Sequence, residues 1–189
     1  KEDPNAPAAG QQAAPPKPKW PVPDDDVPVS MADMTLRLES IGQLGTPEAA
    51  QALAALVPTL DRPLRASAVR GVGFGRSVTA RALLQNLSED KNADVRRQAV
   101  RELADGSPEE QLWLRDKRLK KEKEEANRAE MLHLLLERDV DGLENAVIAA
   151  AKEKDKLLVG VGIYGLGRLN LEKQRKLVES HLGDADVVV

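Results

Sequence analysis

Gly160, Gly162 and Gly165 stand in Val159-Gly160-Val161-Gly162-Ile163-Tyr164-Gly165 at the GxGxxG spacing of a dinucleotide-binding loop, where glycines let backbone approach a pyrophosphate. Such a loop needs a strand before it and more sheet after its helix, and only 22 residues follow Gly167. Gly165 and Gly167 also align with Gly71 and Gly73, 94 residues earlier, so close helix packing accounts for both pairs. His133 and His181 lie 48 residues apart on apolar segments without cysteine company, the setting of half-buried structural histidines rather than metal ligands. No serine or threonine has the flanking glycines of a nucleophile elbow, and no carboxylate pair stands out from 31 scattered acids. The residues predict no enzymatic activity, no cofactor and no metal.

Two sets of cations remain. Arg115, Lys117, Arg118, Lys120, Lys121 and Lys123 crowd one segment, with Asp116, Glu122, Glu124 and Glu125 interleaved. A mixed-charge helix of this kind is first a solvated face with i, i+4 pairs, then a grip for an acidic protein surface, and last for phosphates. No Gly or Pro occurs from Glu109 to Val140, which leaves room for one long helix in place of a helical hairpin. The second set comprises Arg37, Arg65, Arg96 and Arg128, which recur, and the less regular Arg70, Arg76, Arg81, Arg97 and Arg101. The irregular set is the better candidate for an outward ridge facing an acidic ligand.

The segments that must position these groups share one pattern. Arg37, Arg65, Arg96, Arg128 and Val159 are each followed four residues later by Ile41, Val69, Val100, Leu132 and Ile163, and three further on by Leu44, Val72, Leu103, Leu135 and Leu166. The next residue is usually small: Gly45, Gly73, Ala104 and Gly167, against Leu136. The anchors step by 28, 31, 32 and 31 residues, and the i, i+3 spacing marks a helical face. A fixed period in this range means stacked units that lean on their neighbours.

Between the anchors a second helix is signalled in each unit. Thr46-Pro47-Glu48 and Ser107-Pro108-Glu109-Glu110 carry caps with proline at the first helical position, and Asp141 and Asn170 are positioned to do the same. The apolar stripes behind them are Ala49, Leu53 and Leu56; Leu83 and Leu87; Leu112 and Leu119; Leu143, Val147 and Ala151; Leu177 and Leu182. Asp61, Asp90, Asp155 and Asp184 mark the turns before the next anchor.

Asp61-Arg62-Pro63-Leu64-Arg65 with Ala68-Val69 and Val72-Gly73, and Asp94-Val95-Arg96-Arg97-Gln98-Ala99-Val100 to Leu103, resemble the HEAT-like repeat of the short bacterial type, similar to PBS-lyase HEAT-like repeats. The likeness covers roughly residues 31 to 189. It implies an all-α fold, an α-solenoid of about five helical hairpins, that usually holds other proteins. Some relatives hold nucleic acid, and one branch assists chromophore attachment to antenna proteins. The resemblance also implies that the regular arginines form an internal ladder with turn carboxylates. Fold alone does not set function.

Composition fits this reading. Apolar residues make up 41% and aromatics 2%, so the core must be Leu, Val and Ala. A net charge of −3 gives no global attraction to nucleic acid or anionic membrane. The longest uncharged apolar stretch, Leu157 to Gly167, is far short of the roughly 20 residues a span needs.

Residues 1–30 hold eight of the twelve prolines and form an extended linker, while residues 31–189 form the folded part. The tail, with Lys17, Lys19 and the aromatic anchor Trp20, is expected to lie along a partner subunit. A Pro/Ala-rich stretch that opens on Lys1 predicts processing and a periplasmic or otherwise exported chain, with a cytoplasmic one as the alternative. Gly183 to Val188 resembles the opening of a sixth unit, so further protein or a partner is expected beyond Val189. Taken together, the residues predict a non-enzymatic protein-binding scaffold within a larger exported assembly. Its candidate contacts are Lys17, Lys19, Trp20, Arg70, Arg76, Arg97, Arg101, Arg115, Arg118, Lys120 and Lys121. An accessory chromophore-lyase-like subunit and a HEAT-type nucleic-acid binder are the alternatives.

Overall fold

The structure, a computed structural model, describes residues 29–181. Lys17, Lys19, Trp20, Leu182, Asp184 and the terminal valines lie outside the described residues. Within them the fold is all-helical, without a strand: α1 (Met31–Gln43), α2 (Pro47–Leu56), α3 (Arg62–Phe74), α4 (Val78–Leu87), α5 (Ala93–Ala104), α6 (Pro108–Trp113), α7 (Glu125–Glu137), α8 (Glu144–Ala150), α9 (Lys156–Arg168) and α10 (Arg175–His181). No described helix is long and apolar enough to cross a membrane.

Starts follow the local chemistry. Thr46 accepts from Ala49 N–H before the Pro47 that opens α2, and Ser107 and Glu110 form the capping box of α6. Asp155 caps α9 by accepting from Leu158 N–H. Two expected caps are corrected. Asp141 lies three residues before α8, whose start at Glu144 has no side-chain cap, because the positive φ of Gly142 delays the helix. Asn170 adopts a left-handed φ of 48° and closes α9 instead of opening the next helix.

The odd-numbered helices pack in series, α1 on α3, α3 on α5, α5 on α7 and α7 on α9, and each ends in the same way. Gly45, Arg76, Gly106, Asp139 and Asn170 donate backbone N–H to Gly42, Gly73, Leu103, Leu136 and Gly167 three residues back. Four of the five donors are left-handed, Gly45, Arg76, Asp139 and Asn170, and the next residues Val140 and Leu171 reach five back to Leu135 and Leu166. This is the cap that satisfies orphan carbonyls at a helix C-terminus.

Those ends correct the register of the first copy. Leu44, aligned in sequence with Val72 and Leu103, lies beyond α1 and is 69% exposed, whereas Leu38 is 6% exposed and joins Val69, Val100 and Leu132 in the core. Moving that copy back three residues puts Met34 in the anchor column, and the steps to Arg65, Arg96, Arg128 and Val159 become 31, 31, 32 and 31. A three-residue slip keeps the same helical face, so periodicity could not detect it.

Glycines set the closest approaches. A Cβ on Gly42 would collide with the backbone of Gly71, and one on Gly162 with the backbone of Ala151. A Cβ on Gly165 would come within 2.7–2.9 Å of Val147 and Leu136, in keeping with a packing role, whereas one on Gly167 would meet open space. The core is one continuous cluster of Leu, Val and Ala with Met131 and Ile163.

Candidate functional site

The basic segment is where the chain departs most from expectation. The single long helix that the absence of Gly and Pro left open does not form. After α6 the chain takes one turn of π-helix, Leu114–Arg118, then a turn in which Lys121 and Glu122 N–H donate to the Arg118 carbonyl, before α7 begins. The reason is a buried charge cluster. Arg118 donates from Nε to the carbonyl of Ser88, the residue that ends α4, at 2.6 Å and from Nη2 to Glu122 Oε2 at 2.8 Å. Arg96 grips the same carboxylate, Nε to Oε2 at 3.0 Å and Nη2 to Oε1 at 2.9 Å, and Glu124 N–H adds a bond to Oε1. Burial pushes the Glu122 carboxyl up, but the Arg96 and Glu124 hydrogen bonds and the charges of Arg96 and Arg118 outweigh it and hold the group below the ordinary range. Arg118 and Glu122 therefore leave the solvated face proposed for them, and Arg118 is a structural cation rather than an open contact.

The regular arginines divide. Arg96 and Arg128 reach carboxylates about 25 residues on, Glu122 and Glu153, the latter at 3.1 Å. Arg65 donates to its own Leu60 carbonyl at 2.8 Å, and Arg37 is exposed on α1.

Cations considered for an outward ridge also bridge neighbouring helices. Arg70 on α3 meets Glu39 on α1 at 3.1 Å, while Arg97 on α5 meets Asn127 Oδ1 at 2.8 Å and Arg101 meets Glu130, both on α7. Arg76 donates to the Asp105 carbonyl at 2.5 Å, and Arg138 meets the Asp105 carboxylate, so one residue ties together the ends of α3, α5 and α7. Arg81 meets Glu110 at 3.4 Å. Beside this ridge Glu102, wedged against Gly73, is pushed up by burial more strongly than the Gln98 hydrogen bond and the Arg70, Arg76 and Arg101 charges pull it down.

His133 is exposed instead of half-buried, its ring 5.5 Å from that of Tyr164 across α7 and α9. Tyr164 donates to Glu137, and Arg168 donates to Asp139 at 2.9 Å. Among the described residues no three His, Asp or Glu side chains gather as metal ligands.

Two concavities adjoin the basic segment, the smaller of about 290 Å³ lying at the charge cluster of Arg96, Arg118 and Glu122. α2 packs on α4, but no comparable packing joins α6 or the π-turn to α8, and a cleft of about 460 Å³ opens there. Leu119, Leu132 and Leu158 form its floor and Ala146 and Ala149 of α8 one wall. Sequence reasoning missed it, because the gap depends on where α6 stops. The alanines spaced i, i+3 were the available signal. Arg115 and Lys120 sit at the rim; Arg115 is paired with Asp116 at 2.7 Å and donates to the Asp141 carbonyl at 2.5 Å. Lys121 lies across from Glu89 at 3.5 Å. The structure thus brings Arg115 and Lys120 to one place, puts Arg70, Arg76, Arg97 and Arg101 on the helix ridge, and buries Arg118.

Comparison with protein-family models and with curated proteins returns no match.

Proposed function

We propose that this chain is a non-enzymatic protein-binding scaffold built as a HEAT-like α-solenoid, a subunit of a larger assembly. The observation that carries this reading is the serial packing of α1, α3, α5, α7 and α9, each closed by a backbone N–H donated three residues back, 30 to 33 residues apart. A stack in which each unit touches only its neighbours offers a long surface and no enclosed centre, which suits holding other proteins. The groups that do converge, Arg96, Arg118 and Glu122, saturate one another and leave no unsatisfied base or nucleophile between them. The Pro/Ala-rich composition of residues 1–30 supports an exported location, and Trp20 is the aromatic residue there suited to anchoring on a partner.

The test is crosslinking of the tagged chain in its own cells, mild purification and mass spectrometry. Stoichiometric protein partners linked through Lys17, Lys19, Lys120 or Lys121 are expected. Recovery of a lone monomer would sink the reading.

A further inference from the structure

We propose that the cleft between the π-turn segment and α8 is the docking site for an acidic, aliphatic segment of the partner protein, a proposal that rests on the scaffold reading above. Its lining is apolar at the bottom and small-sided on α8, where Ala146 and Ala149 leave room for inserted side chains. At about 460 Å³ it falls within the range of roughly 300–1,000 Å³ typical of binding clefts.

The charge beside it selects the occupant. Between Arg115 and Glu125 six cations face four acids, a local net of +2 on a chain whose net charge is −3. Removing the buried Arg118 and Glu122 from that tally leaves the excess unchanged, now all on accessible side chains. Among the described residues Lys120, which lines the cleft, makes no ion pair, so its charge is available, unlike that of Arg70 or Arg101. At the rim Arg128 is held by Glu153 and Arg115 by Asp116, which fixes their positions while Lys120 is left to meet an incoming carboxylate. Aliphatic side chains in the cleft and a carboxylate over Lys120 satisfy both features together.

A random peptide library displayed on phage, panned against the full chain, tests the proposal. Enriched sequences are expected to combine Asp or Glu with Leu, Ile or Val. Synthetic versions, followed by fluorescence anisotropy, are expected to bind about tenfold more weakly to Lys120→Glu, which reverses the rim charge. Ala149→Trp, which fills the cleft from an exposed helix position, should weaken them at least as much. Circular dichroism of both variants should match the parent. A consensus without acids, no enrichment, or equal binding to Ala149→Trp overturns the cleft assignment. In each case partner recovery in the crosslinking experiment still decides the scaffold reading separately. Duplex DNA is expected not to bind in parallel; binding lost in Lys120→Glu would assign the patch to nucleic acid and overturn the proposal.

Discussion

The Arg118 guanidinium donates to the Glu122 carboxylate at 2.8 Å, and the two side chains expose only 5% and 1% of their surface. Arg96 holds the other edge of the same carboxylate, so one acid neutralises two cations from different parts of the chain. Removing a single member of a buried pair leaves an uncompensated charge.

Glu122→Ala is therefore expected to cost about 3–5 kcal/mol, read as a lower midpoint in urea. The double variant Arg118→Met/Glu122→Leu should recover part of that loss. Because Glu122 is held below its ordinary range, its contribution is fully present above the unfolded-state value of about 4.3 and is lost as pH falls through the folded-state value. Glu122→Gln should accordingly flatten the acid limb of the stability profile, measured as the urea midpoint from pH 7 to pH 3.

Glu102 has the opposite sign. Burial raises its folded-state pKa, so the native state binds the proton more tightly and this group's contribution declines as pH rises from the unfolded value through the folded one. Glu102→Gln, which keeps an oxygen for Gln98, is expected to raise the melting temperature at pH 7 and leave it nearly unchanged at pH 3. A lower melting temperature at pH 7 would show that Glu102 is held as a stabilising anion by Arg70, Arg76 and Arg101.

Glycines in α9 should respond oppositely to one added methyl. Gly162→Ala drives a Cβ into the Ala151 backbone and is expected to cost about 1–3 kcal/mol, since no flexible side chain can give way. Gly167→Ala meets nothing within 4 Å and should stabilise by about 0.5 kcal/mol through lower unfolded-state entropy. Chemical denaturation of the two variants decides the matter.

The register of α1 is testable by truncation. Leu38→Ala removes a core side chain and is expected to cost about 2–5 kcal/mol, while Leu44→Ala, at an exposed site past the helix, should stay within about 0.5 kcal/mol. Equal losses would restore the sequence-based alignment on Arg37.

Sequence by itself determined the helical character of the chain, and the cap signals of α2, α6 and α9 with it, because a hydroxyl or carboxylate before a proline or an apolar run acts within one turn. It also determined four of the five buried columns, since Val69, Val100, Leu132 and Ile163 recur at a spacing that only one helix face satisfies. Tertiary structure decided the fifth, choosing Leu38 over Ile41, because a three-residue slip is invisible until the end of α1 meets α3. It also decided the fate of the basic segment. Arg118 and Glu122 stand four apart like any solvated pair, and what buries them is the Ser88 carbonyl and the Arg96 guanidinium, supplied from 30 and 26 residues away. The break that this burial forces after α6 opens the cleft against α8, and a local pattern of charges has no means of encoding contacts at that separation.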